Sequence, residues 1–109
     1  MRILNKPKII QLLGLATRAR KTVLGTDSVL MSISTLKMVF VSKDASDNTI
    51  EKIKNKCEYY KIQCINELNT AELEKACGKH NLMVLGISDS GFAKSINNLL
   101  KEDVGNESK

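Results

Sequence analysis

The 109-residue sequence has no tryptophan, a single proline and a single histidine, and aromatic residues supply only 4% of its positions. Two Tyr and two Phe make no pattern of exposed rings, which argues against binding single strands by stacking base after base. The lone histidine, His80, has no second His and no Cys beside it. Neither a metal site nor a Cys–His pair can be built on it. The three cysteines, Cys57, Cys64 and Cys77, are odd in number and lack Cys-x-x-Cys spacing. That excludes a disulfide framework, a zinc site and a thioredoxin motif, and leaves reduced thiols that pack. No apolar run approaches the roughly 20 residues that span a bilayer. The start, Met1-Arg2-Ile3-Leu4-Asn5-Lys6-Pro7, has no signal-peptide pattern. The expected setting is therefore the cytoplasm, with no membrane partner.

Catalytic signatures are missing as well. No Walker loop is present, and no Gly-x-Gly-x-x-Gly follows a strand. Asp44 ends a predicted strand, as a phospho-acceptor would. Such a site also wants acids after the first strand, where Leu24-Gly25-Thr26 stands. The reading is of a protein that is not an enzyme and needs no cofactor.

Acids are absent from residues 1–24, which hold Arg2, Lys6, Lys8, Arg18, Arg20 and Lys21. Those six of the 17 basic side chains leave 11 against all 12 acids, so the whole net charge of +5 comes from the first quarter of the chain. A one-sided basic segment is the footprint of a protein that meets phosphate; the plainer alternative is a solvated face.

What is present is regular periodicity. Ile9, Leu12, Leu13 and Ala16 are spaced as a helix, with Pro7 in its first turn. Thr22-Val23-Leu24 reads as a strand, followed by a turn and a helix capped by Thr26 or Asp27 and buried through Val29, Leu30 and Ile33. Met38-Val39-Phe40-Val41 has the continuous apolar character of a strand covered on both faces. Ile50, Ile53, Cys57 and Tyr60 mark the inner side of an amphipathic helix. Gln63-Cys64-Ile65 reads as a short strand, and Asn69 with Glu72 as a capping box for a helix ending at Gly78. A strand over 82–87 and a helix capped by Ser90, with Phe92, Ile96, Leu99 and Leu100 inside, complete the chain. The expected division is one domain over 1–101 and a polar tail over 102–109. Strand and helix alternate four times after the first helix, which predicts helices on both faces of a mainly parallel sheet.

Two segments stand out as candidate contacts. Lys21-Thr22-Val23-Leu24-Gly25-Thr26-Asp27-Ser28 runs from a cation through a strand to a glycine and a helix start. Amides at a helix start attract anions, and a residue without Cβ admits close backbone approach. The same residues also fit an ordinary strand–turn–helix cap. The second segment is Gly78-Lys79-His80-Asn81-Leu82, whose cation, imidazole and amide suit exposed bases or phosphates; a simple connection is the alternative.

Gly14-Leu15-Ala16-Thr17-Arg18-Ala19-Arg20-Lys21, Gly25, Lys43-Asp44-Ala45-Ser46-Asp47-Asn48-Thr49, Cys57-Glu58-Tyr59-Tyr60 and Ala76-Cys77-Gly78-Lys79 together resemble the ribosomal-protein L-seven-Ae superfamily, in particular its small bacterial branch. The resemblance spans about Lys8 to Leu100. It implies an α/β/α three-layer sandwich around a mixed four-stranded sheet, and binding to kink-turns, sharply bent RNA duplexes with sheared G·A pairs. The family's helix after the first strand opens with glycine, a variable residue, asparagine, glutamate, two more residues and lysine. These fall on Gly25, Thr26, Asp27, Ser28 and Met31, so only the first two positions fit. The family's second RNA-contacting loop falls on Lys79, His80, Asn81 and Leu82.

The resulting expectation is a non-catalytic binder of structured RNA, either ribosomal or kink-turn-containing, with ribosomal proteins as further partners. Its RNA face would be Arg18, Arg20, Lys21, Gly25, Thr26, Asp27, Ser28, Lys79 and His80. One rival is a protein-interaction module of the same fold, which should carry an apolar surface patch. Another is an accessory substrate-binding domain of the kind appended to RNA methyltransferases.

Overall fold

The computed structural model describes residues 5–105, so Arg2 of the basic start and the last four residues of the tail lie outside it. Helix α1 (Lys6–Arg18) has Pro7 in its first turn and buries Ile9, Leu13, Gly14 and Ala16. It ends in a tight turn. Arg20 takes a left-handed conformation (φ 60°), and the Ala19, Arg20 and Lys21 amides donate to the Leu15, Thr17 and Ala16 carbonyls. The turn delivers β1 (Thr22–Leu24). Helix α2 (Thr26–Ser32) follows and tightens into a 3-10 turn over Ile33–Thr35. Gly25, at φ 101°, is the N-cap in place of the expected Thr26 or Asp27, and no side chain caps this helix.

Strand β2 (Met38–Val41) leads to α3 (Asp47–Tyr60), whose cap Ser46 accepts from the Thr49 amide. Strand β3 (Gln63–Ile65) precedes α4 (Thr70–Cys77). Asn69 and Glu72 form the expected capping box, with both bonds present, worth about 1 kcal/mol at such a position. Strand β4 is shorter than expected, Val84–Ile87. Helix α5 runs Ser90–Gly105, continuing into the segment expected as tail. Asp89, one residue earlier than the predicted cap, accepts from the Phe92 amide.

The sheet order is β1-β4-β2-β3. Strands β2 and β3 are parallel, and β4 runs antiparallel to both β1 and β2. The sheet is therefore mixed, as the resemblance implies, and not the mainly parallel one that alternation suggests. The connection explains it. A parallel strand needs a crossover that returns the chain to the other end of the sheet. Here α4 and its loop come back to where they began: the Thr70 hydroxyl lies 3.2 Å from Met83 Sδ, and the Ser42 amide donates to the Met83 carbonyl. The chain can only enter β4 running the opposite way.

Alternating strand residues separate two cores. Met38, Phe40, Leu85 and Ile87 face α1, α4 and α5, packing with Ile9, Leu13, Leu73 and Ile96. Val39, Val41 and Val84 face α2 and α3, packing with Val29, Ile33, Ile53 and Cys57. That is the three-layer sandwich. One expected core residue is outside it: Tyr60 is 41% exposed, and its neighbour Tyr59 is 77% exposed.

All three cysteines are free thiols. Cys57 is buried in the second core and Cys64 is half-buried against it. The two share a hydrogen bond that, with burial, raises the Cys57 pKa well above the usual thiol range and keeps it protonated. Replacing Cys57 by Ser should destabilise the fold by roughly 1–3 kcal/mol, the cost of placing a hydroxyl in an apolar core. Cys64→Ser should cost about 1 kcal/mol, because a half-exposed hydroxyl keeps part of its hydration. Urea unfolding of both variants checks the order; a stoichiometric metal in the purified protein would show the packing role to be wrong.

Candidate nucleic-acid interface

The expected site residues come from three stretches of sequence, and β1, an edge strand only three residues long, organises them. Thr22 sits opposite Ile87 and Leu24 opposite Leu85. At the start of β1 the Lys21 carbonyl accepts from the Ser88 amide and, at 3.1 Å, from its hydroxyl. Arg18, Arg20 and Lys21 gather at this end, and all three are exposed. At the other end, roughly 10 Å along the strand, the Gly25 amide donates to the Val84 carbonyl at 2.9 Å.

The loop after α4 joins the two ends. Thr17 Oγ1 donates to the Leu13 carbonyl at 2.8 Å and lies 3.2 Å from Cys77 Sγ, and Thr22 Oγ1 approaches Thr17 Oγ1 at 3.3 Å. The end of α4 is thereby stitched to the start of β1. Burial pushes the Cys77 thiol up, so it stays neutral there. From Gly78 the chain passes Lys79, His80 and Asn81 and enters β4 at Val84, beside the end of β1. The loop thus leads from the Thr22 end of the edge strand to its Leu24 end, held on the way by Glu74 of α4. Lys79 and His80 are exposed. Asn81 adopts a left-handed conformation (φ 57°), and Glu74 anchors the loop by accepting from the Asn81 amide. The same carboxylate lies 3.8 Å from His80 Nδ1, an ion pair only when the imidazole is protonated.

At the Gly25 end, a Cβ added to the glycine would meet nothing within 4 Å, but its φ of 101° is one that L side chains rarely adopt. Glycine is thus needed for the turn, and its bareness leaves the backbone open to approach. Gly25 and Thr26 are half-buried, whereas Asp27 and Ser28 are exposed. Met31 lies one turn further on the same face and is 86% exposed.

Two features of this region had no motif in the sequence. Lys75 joins Lys6 and Arg18 in lining a groove of about 590 Å³ between α1 and α4. Glu72 in the same groove lies 3.3 Å from Lys6 and neutralises it. A lysine on the outer side of α4 looks like any surface lysine until α1 is packed beside it. The exposure of Met31 is the other. Helical spacing from Asp27 and Ser28 could have indicated it.

Among the described residues no group of three or more His, Cys, Asp and Glu side chains could hold a metal ion. The site is a rim of cations, hydroxyls, an amide and bare backbone, with the Asp27 and Glu74 carboxylates among them.

This α/β/α sandwich, with its loop-framed edge strand, matches one established family. Residues 7–97 fit the model of the "Ribosomal protein L7Ae/L30e/S12e/Gadd45 family", and the chain belongs to it. Among its relatives is the "RNA-binding protein YlxQ" of Enterococcus faecium, 39% identical over 99 residues, covering 89% of this chain and 95% of that protein. The Bacillus subtilis (strain 168) protein of the same name is 42% identical over 91 residues, covering 82% and 91%. A solved structure of a Bacillus halodurans protein of unknown function superimposes with a TM-score of 0.81 at 34% identity, over 86% of this chain and 97% of that one. The Giardia lamblia 15.5kD RNA binding protein shares the fold, with a TM-score of 0.76 at 13% identity over 88% and 84%.

Proposed function

We propose that this chain binds structured RNA along the β1 edge and catalyses no reaction. The observation that carries the reading is convergence. The α1–β1 turn, the start of α2 and the α4–β4 loop are far apart in sequence, yet they frame one short edge strand with exposed cations and hydrogen-bonding groups. Two relatives at about 40% identity are named as RNA-binding proteins, which supports it. Arg18, Arg20, Lys21 and Lys79 supply phosphate contacts. Gly25 lets the RNA backbone approach, and Thr26, Asp27, Ser28 and His80 face groove edges. The bound RNA is ribosomal or kink-turn-containing, with ribosomal proteins as neighbours, in the cytoplasm, and neither cofactor nor membrane takes part. A protein-interaction role would call for a contiguous apolar patch. The large exposed apolar side chains nearest this region, Leu15 and Met31, stand on different helices.

The test is a titration of a bulged RNA duplex over a range of salt. Each neutralised phosphate releases roughly 0.7 to 0.9 of a counterion, so four contacts give a log–log slope near −3. Replacing Lys21 and Lys79 by Gln should flatten that slope by about 1.5. Absent binding at low salt, or binding indifferent to salt, would remove the RNA reading.

A further inference from the structure

The outer face of α3 is not used by the site above, and its composition is distinctive. Lys52, Asn55, Lys56 and Tyr59 recur at helical spacing on one side and line a shallow groove of about 410 Å³. No carboxylate lines the groove itself, although the exposed Glu51 and Glu58 flank Asn55 on the same helix. The Tyr59 ring is held by Tyr60, edge to face, with centroids 4.9 Å apart and planes at 83°. A ring so fixed and 77% exposed offers a flat apolar face to solvent. Lys52 and Lys56 stand one turn apart, neighbours on the helix surface.

We propose that this face is a second RNA contact, which takes a single-stranded extension of the RNA held at the β1 edge. One base stacks on Tyr59, Lys52 and Lys56 meet successive phosphates, and the Asn55 amide meets a base or sugar edge. The proposal rests on the RNA-binding reading and adds a specificity to it. Charge favours the occupant: an acidic ligand with planar apolar groups matches a pair of lysines beside an open ring, where a purely apolar partner would have to desolvate both cations. Placement favours it too. Val41 pairs with Val84, whose carbonyl also holds the Gly25 amide, so α3 starts from the sheet end that carries Gly25. From Asp47 the helix rises roughly 18 Å to Tyr59. A strand leaving the first site crosses from β1 past β4 and then follows α3 to the ring. A single ring adds one stacking platform, which differs from the row of aromatics that reads long single strands.

The protein carries its own probe. It has no Trp and only two Tyr, both in this patch, so tyrosine emission reports on this face alone. Two bulged duplexes are titrated, one blunt and one with a single-stranded extension of about eight adenylates, a length within the range single-strand sites occupy. An oligoadenylate of the same length is titrated alone. The extended duplex and the oligoadenylate should quench the emission, and the blunt duplex should not. Tyr59→Ala should weaken the extended duplex by roughly tenfold, leave the blunt duplex unchanged, and be rescued by Tyr59→Phe. Tyr59 is exposed, so folding is not at stake. Unchanged emission with the extended duplex bound, or equal losses on both duplexes, overturns the proposal while the β1 site stands. Tyrosine emission that changes with protein concentration in the absence of RNA also overturns it, since a second copy then covers the face. If none of the three RNAs binds at low salt, the RNA reading itself fails.

Discussion

Gly14→Val should destabilise the protein at the upper end of the roughly 1–3 kcal/mol that overpacking costs, and local propensity alone understates the effect. Gly14 lies inside α1, where glycine is a poor helix former, and alanine there is intrinsically better by about 1 kcal/mol. Packing reverses the sign. An added Cβ would sit 2.9 Å from the Ala76 carbonyl oxygen. That oxygen belongs to the α4 backbone, so it cannot rotate aside as the end of a side chain does. To admit the atom, α1 and α4 must separate, which loosens the packing of Leu13 and Leu73 in the first core. Gly14→Ala should therefore destabilise by less than the valine variant, its clash offset in part by propensity. Urea denaturation of both, with slopes compared, is the check. Stabilisation by Gly14→Ala would mean that the two helices are free to part.

The effect should not stop at stability. Gly14 lines the α1–α4 groove with Lys6, Arg18 and Lys75, and α4 holds the start of the Gly78–Leu82 loop. A shift of α4 moves that loop relative to β1. RNA affinity measured well below the unfolding midpoint should fall in the valine variant even though no RNA-contacting residue has changed.

Strands β1, β2 and β3 were legible residue for residue, because each is a short β-type run set between segments of helical spacing. The Asn69–Glu72 box was legible because both of its bonds are local. What escaped depends on groups distant in sequence. The direction of β4 follows from the return of the α4 loop to Thr70, which no periodicity encodes. Tyr60 fits the spacing of Ile53 and Cys57, but α3 ends there. Lys61 turns the chain in a left-handed conformation, φ 58°, before anything covers the ring. At Gly25 the sequence shows a flexible residue next to three good capping types, and only the backbone angle reveals that the glycine is the cap. The candidate site was legible as two segments. Their common frame was not, because it is built by Thr17, Cys77 and Thr22, residues that look ordinary one at a time.

The second large effect concerns Asp27, Ser28 and Met31 together. By the resemblance they fall where the family pattern has Asn, Glu and Lys, and they lie on one exposed face of α2 beside the Gly25 turn. An asparagine there can donate to guanine O6 or N7, which offer only acceptors in the major groove. An ionised Asp27 sets a carboxylate against those acceptors and loses water in doing so. Met31 offers phosphate no charge. The natural sequence is therefore expected to bind kink-turns weakly. Asp27→Asn should strengthen binding, and Ser28→Glu and Met31→Lys should add to it, each by roughly 1 kcal/mol, a typical net hydrogen-bond value. All three positions are exposed, so the replacements should leave the fold intact, and circular dichroism would confirm that. Because the three share one turn of helix their effects will couple, and the sum of about 3 kcal/mol is a ceiling. The measurement is a titration of a kink-turn duplex against the same duplex without its bulge. If the natural sequence already prefers the kinked form by roughly 100-fold, about 2.7 kcal/mol, the departures at these positions do not govern selectivity. If the triple replacement gains nothing, this face of α2 is not where RNA is read, and a protein partner for the β1 edge becomes the better reading.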